Sequence, residues 1–316
     1  MSAFDLELAA LTPVVRQVPD WFPPSSRVMP SLADAQRYCR RLATGHYENF
    51  PLVSLLLPRN LHQHFFNVYA FCRWADDLGD ETGDPARSLE LLGWWRKELE
   101  DCYAGECRHP VFVALKPTMD EFNLPINLFA DLISAFEQDQ TLREYQTEEQ
   151  LLDYCTRSAN PVGRIVLQLC RQATPRNCEW SDAICTGLQL ANFWQDVARD
   201  LDIGRIYLPA EHRDSFQVSR DDLLARRTTS GFIELMTFEV ARSRDLFHRG
   251  LPLIEHLPGR LQIDIDLFAR GGLCILDRIE RIGYRVLERR PVVTKRDAFV
   301  LLMKSIGSAL VRRFRF

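Results

Sequence analysis

Along most of the chain apolar residues recur three and four positions apart, the period of an amphipathic helix, and no segment sustains the two-residue alternation of a strand. The pattern predicts an all-α protein. Pro13, Pro19, Pro23, Pro24 and Pro30 make residues 1–30 an irregular arm, followed by one helical domain over 31–316. Ser31 and Asp34 form a capping pair for a helix to Gly45, and 46–58 reads as a turn with a short apolar segment. Asn60 is expected to cap the next helix, which Gly79 and Gly83 help to end. Asp84 and Pro85 are a cap and a first-turn proline for a third helix to about Gly105. Further helices are expected at 111–122 and 125–138, and the box Thr147 to Gln150 launches another, broken at Asn160 and Pro161. Ser181 should start a helix that Gly204 stops, and the remaining helices fall at 232–256 with a break at Pro252, 261–289 and 294–313.

Two of these helices carry an unusual polar stripe. Tyr69, Arg73, Asp76 and Asp80 are spaced four, three and four, and so share one face beside the bulky run from Phe65 to Trp74. Gln189, Asn192, Asp196 and Asp200 are spaced three, four and four and share another. Acids near the C-terminal end of a helix lie at the unfavourable pole of its dipole, and like charges one turn apart repel. Each ladder therefore calls for a cation. Oxygen-rich stripes suit Mg²⁺, which prefers oxygen ligands and bridges proteins to phosphates. A solvated charged face remains the competing reading, for the second ladder above all, with Arg199 and Arg205 as partners. Asp77 reads either as a support for Asp76 or as an exposed acid. Arg73, Arg205 and Tyr207 read either as ion-pair partners or as clamps on a diphosphate.

Composition narrows the choice. With 316 residues the chain can bury a sizeable core, and a net charge of −4 gives no reason to expect a nucleic-acid partner. The nine cysteines show no C-x-x-C spacing and read as reduced thiols of a cytoplasmic protein. The seven histidines include no H-E-x-x-H, and neither a Walker A sequence nor a strand-linked G-x-G-x-x-G occurs. No signal-peptide order opens the sequence, and no apolar run is long enough to span a membrane. Arg278, Arg281, Arg285 and Arg289 form a stripe that reads by default as a solvated face, with only Arg289 taken as a site candidate. Residues 298–316 combine Phe299, Leu302, Ile306, Leu310 and Phe314 with Lys304, Arg312, Arg313 and Arg315, a pattern suited either to peripheral contact with the inner face of a membrane or to a helix packed on the core.

In these motifs the chain resembles the squalene/phytoene synthase family, over roughly residues 31–290. The matching stretches are His46 with Phe50, Tyr69 to Asp80, Tyr154 and Cys155 with Val162 and Gly163, Gln189 to Asp200, and Gly204 to Pro209. The resemblance implies an isoprenoid-synthase helical bundle around an apolar cavity. It implies Mg²⁺ held on a prenyl diphosphate by Asp76, Asp80, Asn192, Asp196 and Asp200, with Arg73 and Arg205 neutralising charge. Tyr154 would stand near the departing diphosphate and the carbocation, and Phe50 would line the tunnel, with Tyr69, Gln189 and Tyr207 contacting substrate.

Departures from the family pattern point within it. Gln195 stands where many relatives carry arginine, Asn160 and Pro161 interrupt a small-residue stretch, and Asn49 replaces a small hydroxyl residue. These variants resemble the hydroxysqualene-forming branch of the bacterial hopanoid pathway. That implies conversion of presqualene diphosphate and water to hydroxysqualene and diphosphate, with Asn49 and Asn160 as candidate holders of the water, and association with other enzymes of that pathway. Two alternatives stay open: head-to-head condensation of two prenyl diphosphates, and a non-catalytic relative that binds prenyl lipid or serves as an assembly partner.

Overall fold

The computed structural model describes residues 30–45 and 58–313. The expected arm, except for Pro30, and the segment with His46, Asn49 and Phe50 lie outside them. The chain divides into two compact units, Met1–Thr141 and Leu142–Phe316.

The first unit contains α1 (Leu32–Gly45), a 3-10 turn (Arg59–Leu61), α2 (His62–Asp80), α3 (Pro85–Tyr103), α4 (Pro110–Phe122) and α5 (Ile126–Thr141). Capping chemistry sets several starts as expected. The Asp34 amide donates to Ser31 Oγ at 3.2 Å, and the Ala86 amide to the Asp84 carboxylate at 3.0 Å. Asn60 is not a cap: it lies inside the 3-10 turn, and α2 follows Leu61 with no side-chain cap. Helix α2 packs against α1, α3, α4 and α5. Its buried side is aromatic, with Trp74 stacked on Trp95 at 5.5 Å and Phe71 edge-on to Phe129 at 5.0 Å. Trp74 Nε1 donates to the Tyr38 hydroxyl at 2.8 Å, so the indole is buried without losing its hydrogen bond.

The second unit contains α6 (Glu148–Ser158), α7 (Asn160–Leu169), α8 (Pro175–Asp202), α9 (Ala210–Ser215), α10 (Arg220–Leu224), α11 (Ser230–Gly250), α12 (Pro252–His256), α13 (Gly259–Arg281) and α14 (Lys295–Arg313). Helix α8 is longer than expected. Thr174 caps it through the Asn177 amide at 3.2 Å, and Ser181 is a buried interior residue, not the start. The reason is packing against α7: a Cβ on Gly163 would lie 2.3 Å from Ser181 Oγ and 2.5 Å from Cys185 Sγ. Helices α6, α7, α11, α12 and α13 all pack on α8, and Trp194 Nε1 is anchored on Ser243 Oγ of α11 at 2.8 Å. Helix α13 ends at Arg281 and not near 289, because Gly283 and Tyr284 take left-handed φ of 64° and 60°. Among the described residues, strand-like pairing is confined to one isolated bridge between Glu144 and Ile206, as the helical pattern predicts. No helix among them is long and apolar enough to cross a membrane.

One core position is out of keeping with the rest. Asp264 of α13 is buried, neither carboxyl oxygen has a hydrogen-bond partner, and burial raises its pKa to about 8. In the unfolded chain it ionises near 4, so between about pH 4 and 8 the folded protein holds a proton that the unfolded chain has lost. Stability from this group therefore falls as pH rises across that window. Asp264→Asn should flatten the dependence of Tm on pH there, and Asp264→Leu should stabilise by about 1–3 kcal/mol at pH 8. Thermal melts at pH 5 and pH 8 check both, and an unchanged slope in Asp264→Asn would refute the assignment.

Candidate functional site

In the first unit the C-terminal half of α2 carries Tyr69, Arg73, Asp76 and Asp80 as the periodicity predicts. Arg73 organises them. Its Nη1 donates to Asp76 Oδ2 at 3.1 Å, and its Nη2 pairs with Asp77 and reaches Glu81 Oε1 at 3.3 Å. Asp77 is thus a buried support and not an exposed acid. Burial drives its pKa up to about 7; Arg73 opposes the rise, while Glu81 and Asp76 add to it. Asp76 is half-exposed and Asp80 exposed, which leaves carboxylate oxygens accessible at the end of the helix. Tyr69 is half-buried, and desolvation raises its phenol pKa.

In the second unit α8 carries the other ladder. Asn192 is exposed, whereas Gln189, Asp196 and Asp200 are half-buried. Asp196 is gripped by Arg290, whose Nε and Nη2 reach its two carboxylate oxygens at 2.5 and 2.9 Å, a two-pronged contact that raises the arginine pKa further. Arg199 lies 3.7 Å from the same carboxylate. The α8 ladder ends in a tight turn in which the Arg205 amide donates to the Asp200 carbonyl at 2.8 Å. Asp200, Arg205, Phe193 and Tyr207 then line one narrow cleft.

Sequence reasoning singled out Arg289, which is exposed and whose side chain meets no polar partner among the described residues. The residue brought to Asp196 is its neighbour. Gln195 explains how: buried on α8, its amide donates to the Pro291 carbonyl at 2.6 Å and fixes the chain next to Arg290. The signal was present as the absence of an arginine at 195, but the 94-residue separation between Asp196 and Arg290 hid the partner.

Tyr154 stands in an aromatic cluster. Phe193 stacks on Tyr207 with centroids 3.7 Å apart and planes 6° from parallel. Tyr145 lies 5.8 Å from Tyr207 and 5.7 Å from Tyr154. Tyr145 and Phe193 were not picked out from the sequence, although Phe193 lies within the second ladder. Asn160, a candidate water holder, is buried and accepts the Thr186 hydroxyl at 3.0 Å, tying α7 to α8.

Electron-rich ring faces tolerate an adjacent carbocation, and a guanidinium fork neutralises phosphate oxygens. All the candidate donors on both ladders are oxygens, and guanidinium groups already sit on Asp76 and Asp196, so both places attract positive charge as a Mg²⁺ site must. Among the described residues no three Asp, Glu, His or Cys side chains cluster closely enough to hold a metal unaided.

Comparison with known proteins accounts for this combination. The family model for squalene/phytoene synthase matches residues 43–297. A phytoene synthase of Arthrospira platensis is 32% identical over 287 residues, covering 85% of this chain and 92% of that protein. A hydroxysqualene synthase of Rhodopseudomonas palustris is 29% identical over 279 residues, covering 85% and 91%. Among solved structures, squalene synthase HpnC from Alicyclobacillus acidocaldarius superposes with a TM-score of 0.77 at 42% identity, covering 86% of this chain and 98% of that one. A dehydrosqualene synthase at 23% identity, with a TM-score of 0.79, shares the same all-helical fold. With the acid ladders in order and most of the chain matched, this protein belongs to the squalene/phytoene synthase family, the head-to-head prenyltransferases of isoprenoid biosynthesis.

Proposed function

We propose that this enzyme converts presqualene diphosphate and water to hydroxysqualene and diphosphate. The observation that carries the reading is the match to the hydroxysqualene synthase of Rhodopseudomonas palustris, 29% identical across 85% of the chain, and the 42% identity to the squalene synthase HpnC agrees with it. The departures at Gln195, Asn49 and Asn160 support it. A second reading, condensation of two prenyl diphosphates toward phytoene, is favoured by the 32% match across 85% of the chain. The intact ladders speak against a non-catalytic prenyl-lipid-binding or assembly role.

In this reading Asp76, Asp80, Asn192, Asp196 and Asp200 would hold Mg²⁺ on the diphosphate. When bound, the metal draws off charge that develops on the leaving diphosphate. Arg73, Arg205 and Arg290 add positive charge around the same oxygens. The C–O bond breaks, its electron pair leaves with the diphosphate, and the rings of Tyr154, Phe193 and Tyr207 shelter the cation as it rearranges. Water adds through oxygen to the cationic carbon and loses a proton. Asn49 is proposed to place that water, and Phe50 is proposed as a substrate contact. The chemistry suits a cytoplasmic enzyme supplied by other hopanoid-pathway proteins.

Offered presqualene diphosphate with Mg²⁺, the purified protein should release diphosphate and form hydroxysqualene, as read by mass spectrometry. Asn49→Ala should keep diphosphate release while shifting product toward other alcohols or hydrocarbons, since ~1–3 kcal/mol of lost hydrogen bonding redirects flux between captures of similar barrier. Recovery of presqualene diphosphate unchanged, or formation of phytoene when geranylgeranyl diphosphate is offered instead, would overturn the assignment.

Gln195→Ala and Arg290→Ala should each lower kcat/KM by roughly 10–100-fold, and the double variant should be no worse than Arg290→Ala, because Gln195 acts through Arg290. Steady-state kinetics of the three variants checks this. Multiplicative losses would separate the two residues.

A further inference from the structure

The stretch that follows α8 has no helix to satisfy its backbone, and its hydrogen bonds show what holds it. Gly204, with φ of 74°, turns the chain out of α8, and residues 205–209 run irregularly to α9. Residues 143–146 support one flank. The Ile206 amide donates to the Arg143 carbonyl at 2.8 Å, the Ala210 amide to the Tyr145 carbonyl at 2.9 Å and the Glu211 amide to the Gln146 carbonyl at 3.1 Å. From α9 the Arg213 side chain reaches back to the same stretch. Its Nε donates to the Leu208 carbonyl at 3.1 Å, and its Nη2 pairs with the Glu144 carboxylate. Glu144 is the residue bridged to Ile206, and its other carboxylate oxygen lies 3.5 Å from Arg220 Nε. One guanidinium thus ties the irregular stretch to its supporting flank.

Arg213 is 4% exposed. Taking a guanidinium out of water is costly, and an apolar side chain of similar volume would fill the same space at less cost. What the arginine adds is direction, because a planar fork holds a carbonyl and a carboxylate in a set relation. Arg205 and Tyr207 ride on the backbone held this way, three residues and one residue before Leu208. Tyr207 stacks on Phe193 at 3.7 Å and lies 5.8 Å from Tyr145, whose own carbonyl belongs to the supporting flank. Arg205 lines the cleft that Asp200 shares. A displaced Leu208 carbonyl would carry both side chains with it.

We infer that Arg213, fixed by Glu144, is a positioning residue that sets Arg205 against the substrate's diphosphate and Tyr207 against the cation. The inference rests on reading Arg205 as a diphosphate clamp and Tyr207 as part of the ring wall, whichever prenyl product the enzyme forms.

Calorimetric titration of the full chain with inorganic diphosphate in the presence of Mg²⁺ tests it without a prenyl substrate. Arg213→Gln and Glu144→Ala should each weaken diphosphate binding about tenfold, since a displaced contact loses much of its strength. Glu144 is less buried than Arg213, so its variant carries the test if Arg213→Gln does not fold. Arg205→Ala should weaken binding at least as much. Adding Arg213→Gln to Arg205→Ala should cost nothing further, because Arg213 acts through Arg205. A lowered Tm with wild-type diphosphate affinity in both Arg213→Gln and Glu144→Ala would reduce the pair to a structural role and overturn the inference. Losses that multiply in the double variant would overturn it as well. Unchanged binding in Arg205→Ala would remove the clamp reading itself, and the inference with it.

Discussion

Carboxylates one helical turn apart repel, and both acid-bearing helices hold theirs in place with arginine. On α2 the guanidinium of Arg73 spans Asp76, Asp77 and Glu81; on α8 Arg290 takes both oxygens of Asp196. Each arrangement keeps negative charge concentrated on a partly buried surface, which a solvated acidic face would disperse. The aromatic packing around Trp74 in one unit and the anchored Trp194 in the other tie the supporting helices to their neighbours. Such anchoring matters because donors that are already oriented need not reorganise as charge develops on a leaving group.

Much of this was legible in the sequence for a physical reason. Periods of three and four residues report helix faces directly, so both ladders, the caps at Ser31, Asp84 and Thr147, and the break at Asn160 and Pro161 fall where the pattern puts them. Local signals failed where tertiary contacts decide. Ser181 looks like a helix start, yet the close approach of Gly163 makes it an interior packing residue. Asn60 looks like a cap, yet a 3-10 turn absorbs it. The end of α13 depends on backbone φ at Tyr284, which a tyrosine does not advertise.

The site shows the same division. Asp76 and Asp196 can be found by spacing, because their chemistry is repeated along one helix. Arg290 could not, since its pairing depends on a turn far along the chain that Gln195 fastens through a backbone carbonyl. Gln195 thus holds the segment whose neighbour, Arg290, brings its charge to Asp196. Tyr145 and Phe193 were likewise missed, because aromatic residues are frequent in helical cores and only their stacking with Tyr207 and Tyr154 sets them apart.

The central claim, that the two ladders serve one metal–diphosphate site, makes their carboxylates thermodynamically coupled. Mn²⁺ binding in the presence of diphosphate, followed by electron paramagnetic resonance, measures that coupling in the wild type, in Asp76→Asn, in Asp196→Asn and in the double variant. If the ladders form one site, each single substitution removes most of the bound Mn²⁺ signal and abolishes turnover with helical circular dichroism intact, and the double variant binds no more weakly than the singles. Losses in metal affinity that simply add, or turnover retained in either single variant at saturating Mg²⁺, would contradict it.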